Sequence, residues 1–277
     1  MFFGHGTDNP WDEAVQLVLS VADLPQDADD GVLPHPLDDS MRQRIDALLQ
    51  KRIQEHVPLP YLLGQAWFAG LAFRCDQRAI IPRSPIAELI LDEFQPWYQG
   101  PQPRRILDLC CGGGCIGLAA AHYQPLACVD LADIDPQALA LARENAQLLG
   151  LQQRVNVIRS DLFQSLPAQQ YDLILSNPPY VDRADLAAMP AEYHHEPVLA
   201  LGSGADGLDL TREILAHASD YLCETGLLVV EVGNSWPALE AAYPRLPFTW
   251  LEFAHGGHGV FALTAAELQD YAESLRG

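Results

Sequence analysis

The chain of 277 residues carries 37 acidic against 16 basic side chains, a formal charge of −21, and is 49% hydrophobic. That balance excludes a free-standing nucleic-acid-binding surface, because a nucleic-acid backbone is gripped by clustered Lys and Arg that displace its counterions. Lys51 is the only lysine and no GxxxxGK[ST] surrounds it, which excludes P-loop and Schiff-base chemistry.

The length suits one large domain, or a domain with an appendage. The chain opens as helical. A loose helix is expected over 10–21, then an exposed connection rich in Pro, Gly and Asp. A second helix follows, with Met41, Ile45, Leu48, Leu49 and Ile53 at helical spacing and Asp39 or Ser40 as its cap. WFAGLAFRC and RAIIP flank Asp76 and Gln77, which suggests a short hairpin or two short strands. Ser84 then caps a helix that has Pro85 at its first position and runs to about Phe94.

QPWYQGPQP, residues 95–103, marks a domain boundary, and beyond it the pattern alternates. Strands are expected over 105–109, 126–132, 154–159, 171–176 and 226–233, with helices over 136–149 and around 208–221. This predicts an α/β fold with a mainly parallel sheet covered by helices on both faces. FTWLEF and HGVFALT are joined by only AHGG, so these last two strands must pair antiparallel.

In such a sheet a ligand lies beyond the carboxyl ends of the strands, near the point where strand order reverses. The first strand and turn read ILDLCCGGGCIG. Gly112, Gly113 and Gly114 allow close backbone approach, and Gly112, Gly114 and Gly117 satisfy GxGxxG literally, a weak signal when alone. Asp108 stands before the turn, where a carboxylate repels a pyrophosphate but suits an α-amino group. Asp133 follows the second strand, placed to accept from ribose hydroxyls, with Asp135 close enough to compete for that role. Asp161, after the third strand, is placed for an adenine amino group or equally for a helix cap. Three acids at successive strand ends fit S-adenosyl-L-methionine, whose ammonium, ribose and adenine each need acceptors.

The most specific signal is NPPY, Asn177, Pro178, Pro179 and Tyr180, directly after the fourth strand. Two prolines hold the turn extended and lack N–H groups, so neighbouring carbonyls point outward as acceptors. The Asn177 side-chain carbonyl and the Pro178 backbone carbonyl can hold both hydrogens of a planar NH₂. Such a nitrogen is a poor nucleophile, and alignment toward an electrophilic methyl is the task of catalysis. Tyr180 can pack against the flat group. Glu231 either lines the pocket or is a buried strand-end carboxylate.

On LDLCCGGGCIG and NPPY the chain resembles the glutamine methyltransferases that modify side-chain amides of translation proteins, a branch of the class I, Rossmann-like methyltransferases. The resemblance spans essentially the whole chain. It implies that Asp133 holds the ribose, that Asp161 and Leu162 flank the adenine, and that NPPY takes the substrate, with Asn177 also near the cofactor. Cys110 departs from the pattern by standing where most class I enzymes carry the first glycine. PRSPIAELI, GHGTDNPWDEA, EYHHEPVLALGSGADGLDLTREIL, EVGNSW and PFTWLEFAHGGHGVF look like the branch acting on large-subunit ribosomal protein three rather than on peptide-chain release factors. The implied organisation is a helical and hairpin substrate-recognition domain over 1–95 and a methyltransferase domain over 96–277.

The expected activity is therefore methyl transfer from S-adenosyl-L-methionine to a glutamine amide of that ribosomal protein. Methylation of release factors, amino methylation of adenine in nucleic acid, and non-catalytic cofactor binding are the alternatives. A basic ribosomal protein is the partner that suits the charge, with no stable nucleic-acid binding. No run of about 18 apolar residues occurs, and MFFGHGTDNPWDE lacks a basic region followed by an apolar stretch, so a cytoplasmic protein without membrane association is expected. His194, His195 and Glu196 lack the spacing for shared ligation, and no metal is expected. His255 and His258 are expected at the surface. The six cysteines show no framework or CxxC pairing and read as reduced, mostly buried thiols.

Overall fold

The computed structural model describes residues 1–7, 9–32 and 34–276. Helix α1 (Pro10–Val21) is capped by Asn9, whose side chain accepts the N–H groups of Trp11 and Asp12. Helix α2 (Asp39–Gln54) starts one residue earlier than its expected caps: Asp38 accepts the Met41 N–H at 2.8 Å. Met41, Ile45, Leu48 and Leu49 pack on Leu17, Val21 and Leu59, the last in the short helix α3 (Leu59–Leu63). Ile53, expected on the same face, is exposed, and the buried residue of the last turn is Arg52.

Strands β1 (Gln65–Phe68) and β2 (Leu71–Arg74) form a separate antiparallel hairpin. Its turn lies at Ala69 and Gly70, both at positive φ, rather than at Asp76 and Gln77. Asp76 instead makes a local turn, accepting from the Arg78 N–H and side chain, so RAIIP pairs with no strand. Helix α4 (Ile86–Leu91) ends earlier than expected, and the chain continues through irregular turns to Phe94, which is fully buried.

The main sheet contains β3 (Arg105–Leu109), β4 (Cys128–Asp133), β5 (Val155–Arg159), β6 (Tyr171–Ser176), β7 (Leu222–Glu231), β8 (Thr249–Trp250) and β9 (Val260–Thr264). Their spatial order is β5-β4-β3-β6-β7-β9-β8. The first five are parallel, and β9 runs antiparallel to both β7 and β8. The predicted antiparallel pairing is present, although FTWLEF contributes only the two residues of β8. Helices α5 (Cys115–Tyr123), α6 (Pro136–Leu148), α7 (Arg183–Ala188), α8 (Asp209–Tyr221), α9 (Trp236–Ala242), α10 (Ala265–Asp270) and α11 (Ala272–Arg276) complete the chain.

Apolar runs such as RILDL and GLLVVEV follow from burial on both faces of the sheet. Ile106, Leu173 and Val229 face a core shared with α4, α5 and the hairpin, whereas Leu107, Ile174 and Leu228 face a second core with α8 and α10. The first core is continuous across residues 95–103, since Phe68, Phe73, Ile86 and Phe94 belong to it together with Ile106 and Leu118. Helix α10 carries a signal that the sequence reading passed over: Thr264 and Glu267 form a reciprocal capping box. Cys75 and Cys111 are buried and Cys128 is exposed, so burial of the thiols is less general than expected.

Candidate active site

Strand order reverses between β3 and β6, so their carboxyl ends open a crevice beside the end of β4. The Ser176 hydroxyl donates to the Leu109 carbonyl at 2.7 Å and ties the two strand ends together. From Leu109 the chain turns sharply: Cys110 adopts φ +59°, a left-handed value unusual for a residue with a side chain. Gly112, Gly113 and Gly114 follow and lead into α5. At Gly117 a Cβ would lie 2.3 Å from a Leu131 side-chain atom and 2.7 Å from the Asp108 Cβ, so only glycine lets this helix seat on β3.

The acids occupy different environments. Asp133 is pinned on both oxygens, Oδ2 accepting the Gly112 N–H at 2.8 Å and Oδ1 the Asp135 N–H at 2.9 Å. Burial raises its carboxyl above the ordinary range, and those two N–H groups only partly offset this. Asp135 is the cap of α6, accepting the Gln137 N–H at 2.8 Å. Asp161 is exposed, and Leu162 beside it holds φ +44° because Ser160 braces the turn, donating to the Leu162 carbonyl and accepting the Ser165 N–H.

Asp108, expected before the turn to suit an α-amino group, is fully buried and does not line the crevice. Its Oδ2 accepts the Gly117 N–H at 2.7 Å, while Oδ1 has no partner. Burial pushes its carboxyl up to about 8, the Gly117 N–H opposing the shift and Asp133 adding to it.

Two hollows meet at NPPY. The first is walled by Gly112, Asp133, Asp135, Asp161, Leu162 and Pro179, and the second by Pro178, Tyr180, Arg83, Tyr193 and Phe2. Asn177 belongs to both. No described residue donates to its side-chain carbonyl or to the Pro178 carbonyl. The turn itself is held by its flanks, Val181 exchanging backbone hydrogen bonds with Leu201 and Ser203.

Several residues that build these walls carried no motif. Asn145 on α6 accepts the Arg74 N–H at 2.8 Å and donates to the Gly113 carbonyl at 2.9 Å, joining hairpin and glycine loop. Glu196 is buried and takes the Ile81 N–H and both Arg83 terminal nitrogens, which makes it a structural anchor. The Arg83 guanidinium also lies over the Tyr193 ring at 5.3 Å. Arg52 bonds Glu13, Glu192 and the Phe2 carbonyl, so α1 and α2 hold the loop that forms the second hollow. His195 bonds the Glu55 carbonyl, and His255 and His258 lie at the surface, as expected for the latter two.

A hollow larger than either of these, of about 980 Å³, lies beyond Asp161 and Leu162 and is lined by Asp209, Glu213 and Asp220. NPPY does not reach it, so size alone misplaces the chemistry.

Residues 87–193 match the family model described as the methyltransferase small domain. The chain is 48% identical over 277 residues to the ribosomal protein uL3 glutamine methyltransferase of Francisella tularensis subsp. tularensis (strain SCHU S4 / Schu 4), spanning 100% of this chain and 88% of that one. It is 47% identical to the protein of the same name from Neisseria gonorrhoeae (strain ATCC 700825 / FA 1090), over 97% and 90% of the two chains. Among solved structures, the hMettl16 catalytic domain in complex with MAT2A 3′UTR hairpin 6 aligns with a TM-score of 0.55 at 16% identity over 82% of each chain. A methyltransferase from Pyrococcus furiosus aligns at 0.51 and 15% identity, over 82% of this chain and 99% of that one. These two likenesses concern the fold alone.

Proposed function

The chain belongs to the ribosomal protein uL3 glutamine methyltransferases, and from that membership we propose that its two hollows are the donor and acceptor sides of one methyl transfer. The reaction moves a methyl group from S-adenosyl-L-methionine to the side-chain amide nitrogen of a glutamine in the ribosomal protein. The single observation that carries the site assignment is that Asn177 lines both hollows while its carbonyl is unengaged.

The first hollow fits the cofactor. Asp133 is half-buried and already oriented by two N–H groups, with lone pairs left for ribose hydroxyls, whereas Asp135, which also lines this hollow, is committed to its helix cap. Asp161 and the strained Leu162 flank the place for the adenine. Asp108 acts from behind the loop, its Oδ2 holding the Gly117 N–H and so fixing the start of α5 beneath the glycine turn. Gly112, Gly113 and Gly114 shape the backbone against the methionine portion. S-adenosyl-L-methionine, when bound, supplies an electrophilic methyl on a sulfonium centre.

On the acceptor side the Asn177 carbonyl and the Pro178 carbonyl accept the two amide hydrogens and aim the nitrogen lone pair across the junction. As the nitrogen becomes cationic these acceptors bind it more strongly, which is where the rate enhancement originates. Pro179 stiffens the turn, and Tyr180 walls the flat amide. No general base is assigned, since the cationic amide loses its extra proton readily to water.

Residues 1–95 act in substrate recognition on this reading, supported by the Arg52 contacts that fasten the second hollow to α1 and α2. A cytoplasmic enzyme is proposed; no helix of the described residues is long and apolar enough to cross a membrane. The charge of −21 suits a basic ribosomal protein and disfavours stable nucleic-acid binding.

Labelled S-adenosyl-L-methionine incubated with the enzyme and, separately, with purified uL3, a release factor and RNA or DNA tests the reading. Label on a uL3 glutamine is expected, with apparent affinity weakening as salt rises. Label confined to nucleic acid or to the release factor overturns it.

A further inference from the structure

Tyr180 is gripped on several sides. Its hydroxyl donates to Glu231 Oε1 at 3.0 Å, and its carbonyl accepts the Ser235 hydroxyl at 2.7 Å. A Cβ on Gly233 would lie 2.5 Å from its ring, and one on Gly207 would lie 2.1 Å from its carbonyl oxygen. The ring and the backbone are therefore both confined by groups that leave no slack.

Glu231 is the polar end of this clamp. It closes β7, is 6% exposed, and lines neither hollow. Its second oxygen accepts the Ser84 hydroxyl at 2.6 Å, and Ser84 in turn accepts the Ile86 N–H at 3.2 Å where α4 begins. One carboxylate thus joins the acceptor turn, the central sheet and the segment carrying Arg83, which walls the second hollow. Hydrogen bonds to an ionised carboxylate are stronger and more directional than neutral ones, so this geometry is a rigid one.

We propose that Glu231 is a positioning residue for methyl transfer, fixing the Tyr180 ring and the segment that carries Arg83 as walls of the second hollow, where the acceptor amide is held flat. The proposal rests on the glutamine-transfer reading above. Glu231 touches neither ligand and acts through Tyr180, so its effect belongs in turnover and not in cofactor affinity.

The test is a double-mutant cycle of Glu231→Ala and Tyr180→Phe in the full chain, with uL3 as acceptor, reading kcat, KM and the Kd for S-adenosyl-L-methionine. Each single change is expected to lower kcat about 10- to 100-fold with cofactor Kd unchanged, because misplacement by about 1 Å has that cost. The double variant is expected to lose no more than the weaker single, since both remove one link. Glu231→Gln is expected to restore most of the rate, because its amide can still bond two rotatable hydroxyls. Multiplying losses in the cycle, or wild-type kcat in either single variant, overturn the proposal. If Glu231→Ala does not fold, Tyr180→Phe with Glu231→Gln carries the test: wild-type kcat in the former, or a kcat in the latter no higher than in the former, overturns it. Wild-type enzyme runs alongside; its failure to label uL3 overturns the functional reading and the proposal together, whereas label from wild type with unaffected variants overturns the proposal only.

Discussion

Asp133 Oδ2 accepts the Gly112 N–H at 2.8 Å, so the acid closing β4 and the glycine loop leaving β3 are one rigid unit. The same carboxylate takes the Asp135 N–H, which fixes its rotamer before any ligand arrives. Preorganisation of this kind lowers the entropy cost of binding.

Asp133→Ala is expected to weaken S-adenosyl-L-methionine binding roughly 10- to 100-fold, the equivalent of about 1.5–3 kcal/mol for hydrogen bonds to a charged group. Asp135→Ala is expected to cost about 1 kcal/mol of stability through the lost cap while leaving cofactor affinity near wild type. Calorimetric titration of both variants distinguishes the two acids; the reverse ranking would reassign the ribose to Asp135.

Asn177→Ala is expected to retain cofactor binding and lose turnover about 10²–10³-fold, the scale for removing one oriented group that stabilises transition-state charge. The comparison is single-turnover methyl transfer to uL3 against cofactor Kd in the same preparation. Wild-type turnover in this variant would remove Asn177 from the mechanism.

Arg52 is buried and bonds two carboxylates and a carbonyl, and the Glu192 partner is nearly inaccessible. Burial opposes the charge on Glu192, but the Phe2 N–H, its own N–H, Arg52 and His56 together bring its carboxyl down to about 2. Arg52→Ala strands that charge and is expected to destabilise by about 3–5 kcal/mol. Arg52→Lys is expected to recover little, because an ammonium cannot span three acceptors in a plane. Lys51→Ala, its exposed neighbour, is expected to change stability by less than about 0.5 kcal/mol. Urea unfolding of the three variants measures this directly.

Asp108 carries a pH signature. Its folded carboxyl is raised from 3.8 to about 8, so between those values the native protein holds a proton that the unfolded chain releases. Stability from this group therefore falls as pH rises through that window and levels off above it, with a limiting slope of about 1.4 kcal/mol per pH unit. Asp108→Asn is expected to flatten the curve between pH 5 and pH 7.5, while Asp133, shifted in the same direction, continues to contribute. Parallel curves for the two proteins across that range would show that Asp108 does not bind the proton.

Much of the site was legible locally. The end of β6 at Ser176 and the turn at NPPY were visible because an apolar strand and two prolines are signals carried by adjacent residues. Cys110 was visible as an oddity, and its φ of +59° shows that a side chain was accommodated in the left-handed region normally left to glycine. The partners of Asn145, Glu196 and Glu231 were not legible because they are distant along the chain: Glu196 bonds Arg83 across 113 residues, and Glu231, read as a pocket residue or a buried strand-end carboxylate, bonds Ser84 across 147. No local periodicity records such pairings. Asp108 is the converse case: its place near a strand end is local, whereas its rotamer, turned toward Gly117, is set by the fold.

By itself the sequence determined the run of alternating strands and helices, the parallel sheet with its antiparallel edge, the glycine loop and the turn at NPPY. Each depends on hydrophobic period, turn chemistry and residues a few positions apart. Tertiary structure decided that Asp133, Asp135 and Asp161 line the hollow while Asp108 does not, which carboxylates became anchors, and that Asn177 stands where the two hollows meet. Those depend on how the ends of β3, β4 and β6 converge with the segment 80–84 and the loop held by Arg52, and on burial, which sets the charge and hydrogen bonding of Asp108, Asp133 and Glu231.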